Sequence, residues 1–345
     1  MTLAILNSFR HDIGNKLDGK SVLVTGGTGS FGRQFIRTIL DNYAVERLIV
    51  FSRDEQKHFE MQRDFPEHKF KAIRYFLGDV RDLDRLNRAF KGVDVVIHAA
   101  AQKHVPLAEY NPTECLHTNV WGAENVVRAA LDNNVQAVVA LSTDKAVNPV
   151  NLYGASKLAA EKVFVAANNI AGRAQTRFSV VRYGNVVGSK GSVVPFYQQM
   201  LSQGTDHLPI TDPRMTRFWI TLQQGVDFVL SSYAMMRGGE IFIPKIPSMR
   251  ITDLASCLAP NLPHKVIGIR PGEKLHEVMV SEEEARTTRE LTDRYLVYPA
   301  LSFWTQADMP ADAKEVPEDF RYASDSNDWW LSDAELLSMI SRTQL

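Results

Sequence analysis

The chain predicts an α/β fold: a doubly wound parallel sheet with helices on both faces, and a smaller lobe interleaved with its C-terminal part. Three observations carry that expectation. Short apolar runs alternate with stretches whose apolar residues recur at helical spacing, and the connections between them are short. The first run leads directly into the glycine-rich turn Gly26-Gly27-Thr28-Gly29-Ser30-Phe31-Gly32, with a helical pattern behind it. Beyond residue 186 the alternation loosens, and proline and glycine punctuate the rest of the chain.

In chain order, residues 1–20 read as a short extension, able to be helical, that ends at the turn Asp18-Gly19-Lys20. Ser21–Thr25 is an apolar strand, and Phe35, Ile36, Ile39 and Leu40 set the helix after the glycine turn. Glycines 26, 29 and 32 remove the Cβ atoms that would keep backbone N–H groups and the helix's amino end from a pyrophosphate. A second strand, 47–51, ends in Ser52-Arg53-Asp54-Glu55. A carboxylate at that tip would accept from the ribose 2′-hydroxyl of NAD. Ser52 and Arg53, with Lys57 one turn on, suit a 2′-phosphate instead and predict NADP. The competing reading is a solvated, charged helix start.

A third strand, 72–77, runs into Gly78-Asp79-Val80-Arg81-Asp82 and a helix over Leu83–Phe90. The strand at 93–98 opens into Ala99-Ala100-Ala101-Gln102-Lys103-His104, whose small residues permit close approach to a bound dinucleotide. One long helix is expected over 112–133, then a buried strand over Ala137–Leu141. The strand at 178–183 ends in Gly184-Asn185-Val186-Val187-Gly188-Ser189-Lys190-Gly191. A helix over Leu222–Met235 and a strand over 240–244 are expected to complete the sheet. The implied domains are a dinucleotide-binding unit at 21–185 that also receives about 218–246, and a substrate lobe with tail at 186–217 and 247–345. Trp329 and Trp330 fit core or interface equally, and Ser332-Asp333-Ala334-Glu335 is a capping box opening a last helix.

Composition narrows the function. The 345 residues are 45% hydrophobic and 23% charged, ordinary for a soluble globular protein. A net charge of −1 with no basic run gives no reason to expect a nucleic-acid or anionic-membrane partner. No apolar run approaches the roughly 18 residues of a membrane span, and no signal-peptide pattern opens the chain, so a cytoplasmic location is expected. The two cysteines, Cys115 and Cys257, are far apart and lack metal-ligand spacing. They read as reduced thiols, and no metal site is expected.

The densest chemistry lies between Leu141 and Lys157. Ser142-Thr143-Asp144-Lys145 follow the carboxyl end of a buried strand, where open α/β sheets place their sites. Tyr153 and Lys157, four apart, share one face of the next helix. Alone, each pair favours the plainer reading, a polar loop held by an Asp–Lys pair and an amphipathic helix, over catalysis.

Together these residues carry a resemblance. Thr25 to Gly32 with Tyr153-Gly154-Ala155-Ser156-Lys157 is similar to the extended short-chain dehydrogenase/reductases that act on nucleotide sugars, which are Rossmann-type proteins. Ser142-Thr143-Asp144-Lys145-Ala146 is a narrower signature, and with it the chain resembles the inverting UDP-N-acetylglucosamine 4,6-dehydratases of pseudaminic acid biosynthesis. Pro213-Arg214-Met215-Thr216-Arg217-Phe218-Trp219, Phe242-Ile243-Pro244-Lys245-Ile246-Pro247-Ser248-Met249 and Gly268-Ile269-Arg270-Pro271-Gly272-Glu273-Lys274 extend the likeness over residues 18–300. Retaining, membrane-attached relatives carry methionine in place of Tyr153. The dTDP-glucose dehydratases carry glutamate in place of Lys145.

The resemblance implies a redox-neutral lyase. Oxidation at C4 makes the C5 proton acidic, the C6 hydroxyl leaves as water, and hydride returns to C6 with inversion at C5. It implies that Tyr153 takes the C4 hydroxyl proton, that Thr143 meets the sugar oxygen, that Lys145 removes the C5 proton and that Asp144 assists water loss. The Lys157 ammonium and the positively charged oxidised nicotinamide are both expected to favour the Tyr153 phenolate, and burial or nearby positive charge to lower the pKa of Lys145. Implied cofactor contacts are Gly26, Thr28, Gly29, Ser30, Phe31, Gly32, Ser52, Arg53, Lys57, Asp79, Val80, Ala99, Lys103, Tyr153 and Lys157. Implied substrate contacts are Lys103, Asn185, Val186, Lys190, Arg270 and Glu273, with Arg217 and Arg250 as weaker candidates. A homo-oligomer is expected, a hexamer among the sizes allowed. A nucleotide-sugar C4 epimerase is the alternative enzyme, though it would leave Asp144-Lys145 without a task. A non-catalytic nucleotide-binding protein is the third reading.

Overall fold

The first apolar run forms β1 (Ser21–Thr25), and all of its residues are buried. A strand without alternation belongs in the middle of a sheet covered on both faces, and β1 lies there. The structure, a computed structural model, describes residues 9, 13–172, 175–189, 191–299 and 309–341. The next strands are β2 (Arg47–Ser52), β3 (Ile73–Leu77), β4 (Val95–His98), β5 (Ala137–Leu141) and β6 (Arg177–Val181). Then come β7 (Asn185–Val186), β8 (Leu208–Ile210), β9 (Thr216–Ile220), β10 (Ile241–Pro244) and β11 (Ser248–Arg250). The last are β12 (His264–Val266), β13 (Val278–Val280), β14 (Thr288–Glu290), β15 (Arg294–Val297), β16 (Lys314–Glu315) and β17 (Tyr322–Ala323).

The main sheet runs β3-β2-β1-β4-β5-β6-β10, every neighbouring pair parallel. The order reverses between β1 and β4, the switch point at which open α/β sheets bind ligands. Thr25 pairs with His98 there, and the Thr25 hydroxyl is 2.8 Å from His98 Nδ1. This is a Rossmann-type doubly wound sheet.

The expectation that β10 closes the sheet is corrected. β15 adds antiparallel to β10, β14 to β15 and β16 to β14, giving ten strands. β14 and β15 are joined by a tight turn in which Leu291 N–H donates to the Arg294 carbonyl at 2.8 Å. Antiparallel neighbours need no crossover helix, so this extension leaves no strand–helix alternation to read.

A second apolar core, including Val194, Tyr197, Ile210, Leu254, Leu336 and Met339, lies apart from the main one. β9 joins the two. Phe218 packs in the main core and its neighbour Trp219 in the second, because successive strand residues face opposite ways. Ser332 and Glu335 form the expected cap, and the helix Asp333–Ser341 follows. Trp329 and Trp330 run along β11, with the Ser248 amide donating to the Trp329 carbonyl.

The helix expected over 112–133 is interrupted. It comprises Pro112–Leu116, a π-helical turn His117–Trp121 and Gly122–Asp132. The bulge turns Asn119 inward, and its amide both accepts from Gln102 N–H at 2.8 Å and donates to the Gln102 carbonyl at 2.9 Å. Where it is described, the N-terminal extension forms turns rather than a helix. Phe9, Ile13 and Leu17 are buried against the main core.

Candidate active site

At the carboxyl end of β5 the chain turns through a short 3-10 segment, Asp144–Ala146. The helix Leu152–Ile170 begins six residues after it in sequence, with Asn151 Oδ1 accepting from Gly154 N–H at 2.7 Å as its cap. Gly154 is required at this contact: a Cβ there would run into the Lys145 carbonyl oxygen. The helix therefore lies flush against the turn and brings Tyr153 and Lys157 beside Thr143, Asp144 and Lys145.

Lys157 Nζ donates to the Leu141 carbonyl at 2.5 Å. Burial pulls its pKa down to about 8, with Glu161 opposing. Ser156 Oγ donates to the Tyr153 carbonyl at 2.7 Å and receives a 2.9 Å bond from Asn119. Asn119 thus ties the loop after β4 to the start of the helix Leu152–Ile170. Sequence reasoning missed it, because a single asparagine inside an apolar helical pattern gives no sign of a bulge.

Thr143 Oγ1 donates to Asp144 Oδ1 at 2.9 Å, and Lys145 Nζ donates to the same oxygen at 3.0 Å. On its other side Lys145 Nζ lies 3.1 Å from Glu277 Oε1. Arg217 Nε at 3.7 Å and Lys274 Nζ at 3.9 Å also face Glu277. Asp144 and Glu277 are 0% and 1% exposed, so the two carboxylates lie below the surface of the site, while Lys145 between them is half-buried. Asp144 Oδ2 and Glu277 Oε2 accept no hydrogen bond among the described residues.

Two electrostatic expectations are corrected. Burial raises the Tyr153 phenol to about 12; Lys145 and a Thr143 hydrogen bond oppose that rise, while Asp144 adds to it. Lys145 is the cation that draws the Tyr153 phenol down most, yet burial outweighs it, and the protein by itself does not favour the phenolate. Lys145 is not lowered either. Burial works against its charge, but Asp144 and Glu277 outweigh burial and hold the ammonium above the ordinary lysine value. Burial raises the Asp144 carboxyl against the pull of Lys145. Burial would raise Glu277 too, yet Lys145, Arg217 and Lys274 keep it below the ordinary range. The resting cluster is a Lys145–Glu277 ion pair beside a carboxyl biased toward its acid form.

The nucleotide half lies at the switch point. Gly26 has φ +66, and a Cβ on it would meet the Ala100 backbone nitrogen at 2.8 Å, so the loop passes directly under Ala99 and Ala100. Gly29 precedes the helix Ser30–Asn42, whose first turn holds no capping side chain and no acidic residue. That helix end fits a diphosphate: its backbone N–H groups and dipole have no competing anion. Ser30, Phe31 and Gly32 form its first turn. Thr28 Oγ1 and Ser52 Oγ are 2.8 Å apart, joining the glycine loop to the tip of β2. Arg53 is exposed and reaches Asp79 at 3.4 Å, Asp79 is held by Arg81, and Lys57 pairs with Asp54 at 2.8 Å. Val80 is buried against Gly122.

The remaining predicted contacts are less tightly gathered. The turn from Arg270 to Glu273 docks on the cap of the catalytic helix, where Asn151 donates to the Gly272 carbonyl at 2.7 Å. Arg270 is exposed and Glu273 half-buried. Asn185 and Val186 form β7 beside β9, opposite Trp219 and Ile220. Lys103 is exposed in the loop after β4. Lys190 lies outside the described residues. Arg250 stacks over Trp330, 5.5 Å from its ring centre. Glu277 was not read from sequence: it follows the Gly268 to Lys274 motif by three residues and carries no spacing signal of its own.

A family described as polysaccharide biosynthesis protein matches residues 22–299. The chain belongs to that family. It is 56% identical to a UDP-N-acetylglucosamine 4,6-dehydratase (inverting) of Campylobacter jejuni, over 95% of this chain and 99% of the relative. It is also 43% identical to a UDP-glucose 4-epimerase of Rickettsia bellii, over 81% of this chain and 82% of that one. Among solved structures it is similar to Pen from Bacillus thuringiensis, with TM-score 0.86 and 36% identity over 95% of this chain and 99% of that one. A second is DesIV, a dTDP-glucose 4,6-dehydratase from Streptomyces venezuelae with NAD and TYD bound. It has TM-score 0.66 and 25% identity over 74% of this chain and 86% of that chain. Among the described residues no helix is long and apolar enough to cross a membrane.

Proposed function

We propose that the protein is an inverting 4,6-dehydratase acting on UDP-N-acetylglucosamine, in the cytoplasm and as a homo-oligomer for which a hexamer is one allowed size. Its product would be a UDP-2-acetamido-2,6-dideoxy-L-arabino-hexos-4-ulose, the first intermediate of a pseudaminic acid-type glycan. The observation that carries this reading is the Asp144–Lys145 pair, held by the 3-10 turn against the helix that carries Tyr153 and Lys157. An oxidation site alone needs only the latter two.

A nicotinamide bound across the switch point supplies the hydride acceptor at C4 and the donor at C6. The glycine loop and the uncapped helix end would hold its diphosphate, and Ser52 and Arg53 its adenosine ribose, with NADP preferred over NAD. Lys157, fixed to the Leu141 carbonyl, would reach the nicotinamide ribose. Lys103, Asn185, Val186, Lys190, Arg270 and Glu273 would line the path of the nucleotide sugar.

In this reading Tyr153 accepts the C4 hydroxyl proton once positive charge is brought near its phenol, since burial alone opposes ionisation. Asp144, raised by burial, holds the proton that leaves with the C6 hydroxyl as water. Lys145 takes the C5 proton in its amine form. The paired ammonium must first lose a proton, so C5 abstraction is expected to speed up with rising pH.

The likeness to a UDP-glucose 4-epimerase favours a second reading, C4 epimerisation. Incubation with UDP-N-acetylglucosamine in deuterated water, with NADP and NAD supplied separately, separates the two. Loss of one water with deuterium gained at C5, faster with NADP, is expected. An unchanged substrate mass would reject the dehydratase, and a preference for NAD would reject the adenosine-site assignment alone.

A further inference from the structure

Glu277 is the most enclosed carboxylate facing the site to which the dehydratase chemistry gives no task. It lies beside the start of β13, on a segment with no strand–helix periodicity, and three cations converge on it, two of them from elsewhere in the chain. Lys145 comes from the turn after β5, Arg217 from β9 and Lys274 from the segment leading to β13. A carboxylate needed only to hold the backbone would be satisfied by neighbours of its own segment. Here Oε1 is shared by Lys145 and Arg217, while Oε2 accepts no hydrogen bond among the described residues. The segment itself is anchored separately: Ser324 Oγ accepts from Glu277 N–H at 2.9 Å, and Arg182 Nη1 donates to the Met279 carbonyl at 3.0 Å. The Glu277 side chain is therefore left to the cations.

We propose that Glu277 is the positioning residue for Lys145, engaging its Nζ opposite Asp144 and stabilising the ammonium formed when Lys145 takes the C5 proton. The inference rests on the dehydratase reading and deepens it. In the step itself the C5–H bond breaks and its proton passes to the Lys145 amine. The electron pair enters the enolate of the C4 ketone, then forms the C5–C6 double bond as the C6–O bond breaks. The hydroxyl leaves as water with the proton of Asp144, which becomes a carboxylate. Lys145 ends as an ammonium 3.1 Å from Glu277, a separation at which an opposite charge strongly favours the protonated amine. Arg217 and Lys274 draw on the same carboxylate and moderate its pull. Asp144, Arg217, Lys274, Glu277 and the Tyr153 phenol are the charged or titratable groups that face Lys145 across this cluster.

The test is the pH dependence of C5 deuterium exchange, measured beside single-turnover C4 oxidation, in Glu277→Gln, Glu277→Asp and Lys274→Met. Glu277→Gln is expected to retain C4 oxidation. Its exchange should level off at a pH about one to three units lower, and at a lower maximum, because Lys145 becomes a weaker base. Glu277→Asp should keep the wild-type profile at reduced rate. Lys274→Met, which leaves Glu277 with one cation fewer, should move the profile the other way. Reduced exchange with an unshifted profile in both Glu277→Gln and Lys274→Met would leave Glu277 a purely structural part and overturn the proposal; unchanged exchange in Glu277→Gln would do the same. If Glu277→Gln does not fold, the direction of the Lys274→Met shift decides alone. Absence of C4 oxidation and exchange in the wild type would instead reject the dehydratase reading.

Discussion

Two buried ion clusters flank the tip of β5, and they are built in opposite ways. In one, Arg182 meets Glu161 at 2.7 Å and Glu284 at 2.7 Å, and its Nη1 also donates to the Met279 carbonyl. Glu161 further accepts from Ser142 Oγ at 2.5 Å, and Glu284 caps Ser281. Every charged atom of Arg182 and both oxygens of each carboxylate are engaged. In the other, Lys145 bridges Asp144 and Glu277, and each carboxylate keeps one buried oxygen without a hydrogen bond among the described residues. A buried ion pair is tolerable when its remaining hydrogen-bond capacity is filled, and costly when it is not. The saturated cluster ties β5, β6, the helix Leu152–Ile170 and the segment after β13 together. The unsaturated cluster stands on that frame and leaves polar atoms facing the candidate site.

If that contrast is right, the largest effect comes from the unsaturated side. Lys145→Ala should lower dehydration by about 10²- to 10⁴-fold, the usual worth of a positioned acid or base. C4 oxidation should survive and C5 exchange with solvent deuterium should be lost. Normal exchange in this variant would remove Lys145 from its role and dissolve the distinction between the clusters.

On the saturated side the effect should fall on stability. Arg182→Ala strands two buried carboxylates and should cost about 3–5 kcal/mol in urea unfolding. Its acid sensitivity should change as well. Burial works to raise Glu284, yet Arg182 outweighs it and keeps the carboxyl below its ordinary range, so wild-type stability from this pair is present at neutral pH and lost as pH falls through the folded-state value. The variant should lack that acid-side loss. A stability change within experimental error would show that the frame does not depend on Arg182.

The smallest effect has the opposite sign. Asp144→Asn replaces a buried carboxyl that burial raises, a group whose charged form costs stability at neutral pH and ceases to cost it as pH falls. The variant is expected to gain about 0.5–2 kcal/mol at neutral pH while losing dehydration, as when a strained functional group is relieved. A loss of stability would mean that Asp144 is as well compensated as Glu161.

Most of the fold was legible because it rests on local signals. Apolar runs fixed β1 to β6 and β10 to within two residues at each end, and the capping box at Ser332 marked a helix start. The antiparallel strands β14 to β16 were not legible, since short turns join antiparallel neighbours without a pattern of their own. The π-helical turn around Asn119 was hidden for a related reason: a one-residue bulge leaves the apolar face of a helix nearly intact.

The sequence by itself gathered the candidate groups near β5. Thr143, Asp144, Lys145, Tyr153 and Lys157 lie within fifteen residues of one another, so a strand, a turn and a helix suffice to bring them together. The glycine loop was readable for the same reason. Only the tertiary structure decided the electrostatics of those groups. Glu277 reaches Lys145, and Arg217 and Lys274 reach Glu277, from segments far along the chain, and a pKa depends on distance in space and on burial rather than on neighbours in sequence. That is why Lys145, expected to be lowered, is held as an ammonium, and why Tyr153 stays a phenol until another positive charge arrives.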